Sequence, residues 1–149
     1  MEYLIRKIEI SDLPRLVELC EKHAAYEMAN YDTHGKVDAL ERAIFSDNKK
    51  LHCFVVEHQS KLIGYFTYTF DFSTWDAKEF MYLDCLYLEP DYRGLKIGER
   101  IFDDLKQVAL NRDCVNIQWQ TPDLNVRAIK FYNRIGGTGK GKVRFFINL

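Results

Sequence analysis

The chain has few of the residues that mark linkers, disulfide frameworks or membrane spans. Of its 149 residues only three are proline and eight are glycine, and none of them cluster into a stretch that would separate two domains. The four cysteines include no CxxC pair, so neither a disulfide framework nor a zinc site is expected. No apolar run approaches the roughly 18 residues that a membrane-spanning helix needs. We therefore predict a single domain over residues 1–149, with reduced thiols and a cytoplasmic location.

An excess of one charge is also lacking. Lys and Arg number 21 and Asp and Glu 22, so the formal net charge is −1. This balance leaves no overall positive field for nucleic acid or an anionic membrane, and neither is expected as a partner. The start of the chain lacks the apolar stretch and cleavage site of a signal peptide. The four histidines lack the spacing of metal ligands, so no metal site is expected.

The hydrophobic pattern predicts one mixed sheet with helices on both faces. Strands are predicted over residues 3–8, 51–57, 62–72, 80–88, 115–120 and 143–149. Helices are predicted from Leu13, over residues 37–45, beyond Gly98 and over residues 126–135. An early hairpin followed by β-α-β crossings is typical of an α/β (or α+β) domain.

Residues 82–98 carry the most specific chemical signal. They read as a strand, a turn, and a loop with Arg93, Gly94 and Gly98 that opens a helix. The free N–H groups and positive dipole end of a helix start bind phosphate, and glycine lets the backbone approach a ligand. On spacing alone, the plainer interpretation is favoured, in which the glycines only make the turn.

With the rest of the chain, this motif resembles the GNAT family of N-acetyltransferases, and within it the diamine (spermidine/spermine and thialysine) acetyltransferases. The similarity covers nearly the whole chain: Tyr26-Glu27, residues 52–57, the region of Trp75, residues 82–98, and Asn125 through Tyr132 to Gly136. It implies a single GNAT-like domain. It also implies an acetyl-CoA-dependent enzyme that transfers the acetyl group directly to a primary amine of a small molecule.

The resemblance implies where coenzyme A would bind. Leu86, Tyr87 and Leu88 would face the pantetheine arm, and backbone N–H near Leu86 would hold the oxyanion. The pyrophosphate would be wrapped by Arg93, Gly94, Leu95, Lys96, Ile97, Gly98 and Glu99, and the last helix would add Asn125 and Ala128. The sequence departs from the family pattern at Lys96, where glycine is usual. The backbone donors are expected to survive this change if φ at Lys96 is negative.

Two side chains are implied as catalytic. Tyr132 matches the tyrosine that protonates the departing coenzyme A thiolate, whereas on the residues alone a core aromatic is the plainer interpretation. Asp84 matches a carboxylate, usually Glu, that binds the amine and takes its proton, commonly through water. A surface ion pair is the alternative interpretation for Asp84.

The identity of the amine stays open at this point. Tyr26 and Glu27 match a pair that lines the amine site in the diamine enzymes. Lys140 and Lys142, however, lie where those relatives carry acidic residues that attract a polyamine.

Assembly and activity have alternatives as well. Relatives form dimers, and Phe145 and Phe146 of the last predicted strand are expected to pair across a two-fold axis in a homodimer. The alternatives to a small-molecule enzyme are a non-catalytic acetyl-CoA-binding module, a protein or peptide N-acetyltransferase, and a structural protein that shares the fold.

Overall fold

The computed structural model describes residues 1–149 and contains one five-stranded mixed sheet. Its strands are β1 (Leu4–Lys7), β2 (His52–His58), β3 (Lys61–Ser73), β4 (Lys78–Leu88) and β5 (Ile117–Gln118), and they lie side by side in that order. The first four are antiparallel neighbours, whereas β5 runs parallel to β4.

Four helices cover the two faces of this sheet. They are α1 (Leu13–Tyr26), α2 (Lys36–Phe45), α3 (Ile97–Asn111) and α4 (Val126–Arg134). Side chains alternate in direction along a strand, so Val55 packs with α1 and α2 while Val56 packs with α3. The predicted mixed sheet with helices on both faces is confirmed. No helix is long and apolar enough to cross a membrane.

Two irregularities of β4 shape the functional site. Thr67 of β3 faces Cys85 while Tyr68 faces Leu83, so the intervening Asp84 is the extra residue of a β-bulge. A bulge bends its strand and redirects a side chain. In addition, β5 pairs only with Met81 and Tyr82, so β4 has a free edge beyond that point.

The last predicted strand is wrong. Residues 143–149 form no strand, and Val143, Phe145, Phe146 and Ile147 are 76–88% exposed. A strand needs a neighbouring edge of comparable length, and β5, at the outer edge of the sheet, is only two residues long. Residues 143–149 therefore form an exposed apolar segment that has no partner strand inside the chain.

Candidate functional site

A cleft of about 610 Å³ lies where the free edge of β4 faces α4. The end of α1 and the start of α3 complete its walls. Every predicted site residue except two lines it: Tyr26, Glu27, Asp84, Leu86, Tyr87, Leu88, Arg93, Gly94, Lys96, Gly98, Glu99, Asn125, Ala128 and Tyr132. Of the two exceptions, Leu95 is exposed to solvent and the Ile97 side chain is buried in the core. No group of three or more His, Cys, Asp or Glu side chains in the chain could hold a metal ion.

The start of α3 offers free backbone donors to the cleft. No side chain caps this helix, and the first N–H groups of a helix have no partner within it. Lys96 has a φ of 63°, so the condition of a negative φ is not met, and the loop keeps the left-handed turn that glycine ordinarily makes. A methyl group at Gly98 would lie 2.9 Å from Cζ of Phe131, so this glycine allows α3 and α4 to approach closely.

Replacing Lys96 with glycine is expected to stabilise the fold by about 1 kcal/mol, because a side chain in the left-handed region costs about that much. Urea unfolding monitored by circular dichroism measures the change. Lys106→Gly is the control, because it lies inside α3, where glycine should instead destabilise by about 1 kcal/mol. A loss of stability in Lys96→Gly would show that the lysine side chain makes compensating contacts.

Arg93 occupies the wall between α1 and β4. Its Nε donates to the carbonyl oxygen of Leu88 at 2.9 Å. Its guanidinium lies 4.3 Å from the ring centroid of Tyr26 and 5.4 Å from that of Tyr87. These contacts hold the cation at the edge of the cleft, and its contact with pyrophosphate stays a prediction.

The α4 wall contains residues that the sequence analysis missed. They are Trp119, Gln120, Thr121, Val126, Arg127, Lys130, Phe131 and Arg134. The signal was present for the charged ones, since Arg127, Lys130 and Arg134 recur at three- and four-residue spacing on one helical face. Together with Lys96 they place positive charge beside the uncapped start of α3.

Tyr132 lies in an aromatic cluster at the base of α4. Its ring centroid is 5.3 Å from that of Trp119 and 5.9 Å from that of Phe102. Burial, with smaller effects of Glu27 and Tyr26, raises the pKa of Tyr132 to about 12. The phenol is therefore protonated at neutral pH, as a proton donor must be.

Asn125 joins the two sides of the cleft. Its Oδ1 accepts a hydrogen bond from the Ala128 N–H at 3.3 Å and so caps the start of α4. The same oxygen accepts from the Tyr26 hydroxyl at 3.3 Å, so the end of α1 is linked to the start of α4.

Comparison with known proteins identifies the family. The model of the acetyltransferase (GNAT) family matches residues 15–137. The chain belongs to the GNAT family. A thialysine N-epsilon-acetyltransferase of Sus scrofa is 30% identical over 141 residues, which cover 89% of this chain and 82% of the relative. The predicted family is therefore confirmed, and this GNAT protein is an acetyltransferase.

Solved structures agree with the fold. A possible acetyltransferase from Clostridium difficile 630 superposes with a TM-score of 0.83 at 16% identity, covering 100% of this chain and 99% of that one. An aminoglycoside N-acetyltransferase in complex with CoA superposes with a TM-score of 0.80 at 15% identity, covering 99% and 95% of the two chains. At these identities the likeness concerns the fold alone.

Proposed function

We propose that this acetyltransferase uses acetyl-CoA to acetylate a primary amine of a small molecule, of the diamine, polyamine or thialysine-like amino acid class, by direct transfer. The observation that carries the proposal is the lining of the cleft. Free backbone N–H groups and the cations Lys96, Arg127 and Lys130 lie at the start of α3 and on α4, and the carboxylates Asp84 and Glu27 come from β4 and the end of α1. The thialysine-acetylating relative supports an amine of this class.

The residues at the start of α3 and on α4 fit the phosphates of coenzyme A. Free N–H groups at the start of α3 are suited to an anion, and Lys96, Lys130 and Arg127 line the same cleft. The free edge of β4 at Leu86 and Leu88 leaves backbone groups without a strand partner, as binding of the pantetheine amides requires.

Two carboxylates of the cleft fit an ammonium group. Asp84 of the bulge and Glu27 at the end of α1 both line the cleft and bring two carboxylates to it. An alkyl ammonium has a pKa near 10 and cannot attack a thioester until it loses a proton. Asp84 would bind the ammonium and take that proton. Because aspartate is one methylene shorter than the usual glutamate, a water would bridge the two groups.

Transfer then needs little more than positioning. The amine nitrogen attacks the thioester carbonyl carbon while the backbone N–H near Leu86 donates to the carbonyl oxygen. Tyr132 donates its proton to the thiolate when the carbon–sulfur bond breaks. Holding both substrates in one cleft supplies much of the acceleration.

A thiol-release assay with acetyl-CoA tests the function. Turnover is expected with at least one member of a panel of polyamines, thialysine, lysine-like amino acids and aminoglycosides. Coenzyme A alone should raise the melting temperature, since about 2.7 kcal/mol of stabilisation results at a hundredfold excess over Kd. A shift without turnover would favour a binding module, and turnover only with peptides would favour a protein acetyltransferase. No shift at millimolar coenzyme A would reject the cofactor.

We propose in addition that the chain forms a homodimer in the cytoplasm. The exposed apolar segment of residues 143–149 supports a second copy as its partner, and the four free cysteines fit a reducing compartment. Light scattering at micromolar concentration is expected to give about twice the 17.6 kDa of the chain. A variant with Phe145 and Phe146 both replaced by serine should shift to the monomer. A wild-type mass of one chain throughout would contradict the proposal.

A further inference from the structure

His23 lines the cleft and has no role in the mechanism proposed above. It lies on α1 four residues before Glu27, and its side chain is 13% exposed. Its Nδ1 lies 2.8 Å from the Tyr65 hydroxyl, and its ring stacks on Tyr87 with 5.3 Å between centroids. These two contacts fix the ring in one orientation against the sheet.

The second nitrogen of this ring has no comparable partner. Nε2 lies 3.4 Å from Oε1 of Glu27, which is too long for a strong hydrogen bond. A donor that reached both atoms would satisfy both. An alkyl ammonium has three N–H bonds and is therefore suited to Nε2 and the Glu27 carboxylate together.

The charges that face His23 come from three sides. Glu27 directly follows α1, Asp84 belongs to the bulge of β4, and Arg93 belongs to the loop that follows β4. The buried Tyr65 faces His23 from β3. Burial holds the pKa of His23 below its usual 6.5, against the smaller upward effect of the two carboxylates. The imidazole is therefore neutral at pH 7. In the tautomer whose Nδ1–H donates to the Tyr65 hydroxyl, Nε2 carries the lone pair and is able to accept a proton.

We propose that Nε2 of His23 is the atom that finally accepts the substrate's ammonium proton, with Glu27 as its counter-ion. This inference rests on the proposed function and assigns to His23 the proton acceptance given above to Asp84, which then serves to bind the ammonium.

The step balances. One N–H bond of the ammonium breaks and an Nε2–H bond forms, which gives an imidazolium beside the Glu27 carboxylate. The freed lone pair forms the bond to the acetyl carbon, and the carbon–sulfur bond breaks. Tyr132 gives its proton to the thiolate and regains one from the new amide nitrogen. The imidazolium then loses its proton to solvent, so an ammonium and a thioester yield an amide, a thiol and one proton.

The kinetic test is the pH profile of kcat/KM, with acetyl-CoA saturating and the amine that gives the highest kcat/KM in the panel above. The wild type should lose activity as pH falls through the pKa of His23, because the imidazolium cannot accept a proton. His23→Gln should lower kcat/KM at pH 7 by about 10²-fold or more and lack this acidic limb. Its thermal shift with coenzyme A should stay that of the wild type.

His52→Gln is the matched control. This histidine also has a pKa lowered by burial and stacks on Tyr68, but it lies on β2 and does not line the cleft. The His52→Gln variant should keep the wild-type kcat/KM and the wild-type loss of activity at acidic pH.

A second variant keeps the proposal testable if His23→Gln folds poorly. Glu27→Gln removes the counter-ion, so the imidazolium of His23 is less stable and its titration, followed by NMR, should move to lower pH. The acidic limb of the kcat/KM profile should move by the same amount. The proposal is overturned if His23→Gln retains wild-type kcat/KM and its acidic limb, or if the limb and the titration of His23 do not coincide. Absence of thiol release by the wild type with every amine would instead overturn the proposed function.

Discussion

Replacing Tyr132 with phenylalanine is expected to lower kcat by roughly 10²–10⁴-fold, the usual effect of losing a positioned general acid. The hydroxyl alone is removed, and the ring that contacts Trp119 and Phe102 stays in place. The melting temperature and the thermal shift with coenzyme A should therefore change little. Steady-state thiol release measures kcat. A standard of free coenzyme A calibrates the thiol signal.

Asp84→Asn gives the contrasting result. It should raise the KM for the amine, because the neutral amide binds an ammonium more weakly than the carboxylate does. The defect in kcat/KM should be larger at neutral than at high pH, where more of the amine is already deprotonated in solution.

Near wild-type kcat in Tyr132→Phe would show that the tyrosine is a packing residue and that the thiolate leaves without an acid.

The sequence was sufficient for the parts of the fold that local chemistry determines. The hydrophobic period predicted α2 to within a residue at each end and the start of α4 at Val126. Residues 143–149 have an equally good strand pattern, yet they form none, because pairing depends on an available edge that the pattern does not describe. Lys96 is a similar case, since the loop geometry imposes a positive φ that lysine does not favour.

The site shows the same division between what is near in sequence and what is near in space. Residues 93–99 were indicated by a consecutive motif that resembles one of the family, and five of these seven residues line the cleft. His23 was not indicated in this way, because its position in the cleft depends on Tyr65 and Tyr87, which lie 42 and 64 residues further along the chain. The one available signal was Glu27, which lies four residues after His23 and therefore on the same helical face.

Glu89 is expected to carry the largest single ionic contribution to stability, and Glu89→Gln should destabilise the fold by about 2–4 kcal/mol. The residue follows β4 and is only 8% exposed. Its Oε1 accepts from Arg15 at 2.9 Å and from Lys22, and Lys61 lies 3.8 Å from its Oε2. The amide would leave these cations facing a neutral group, and urea unfolding at pH 7 measures the loss.

Glu18→Gln is the matched control for this variant. Glu18 also pairs with Arg15, at 2.9 Å, but its side chain is 64% exposed. Exposed pairs contribute about 0–1 kcal/mol, so Glu18→Gln should change the free energy of unfolding by less than about 1 kcal/mol. Equal effects of the two substitutions would show that burial does not strengthen the Glu89 contacts.

The contribution of Glu89 to the free energy of unfolding depends on pH. Burial alone would raise the pKa of Glu89, but the hydrogen bonds from Lys22 and Arg15 outweigh it and hold this pKa below its usual value. The stabilisation is therefore complete above the pKa of about 4.3 that a glutamate has in the unfolded chain, and it is lost as pH falls through the lower folded value. The difference between wild type and Glu89→Gln should be constant from pH 7 to pH 5 and shrink below about pH 4.3.

The same contacts hold the site together, because Lys22 and Arg15 belong to α1 while Glu89 follows β4. Loosening them should let the end of α1, with Glu27, move relative to Asp84. We therefore expect Glu89→Gln to raise the KM for the amine while leaving the KM for acetyl-CoA, whose phosphates we propose to bind at the start of α3, nearly unchanged. A stability loss with both KM values unaltered would mean that Glu89 supports the fold without positioning the amine site.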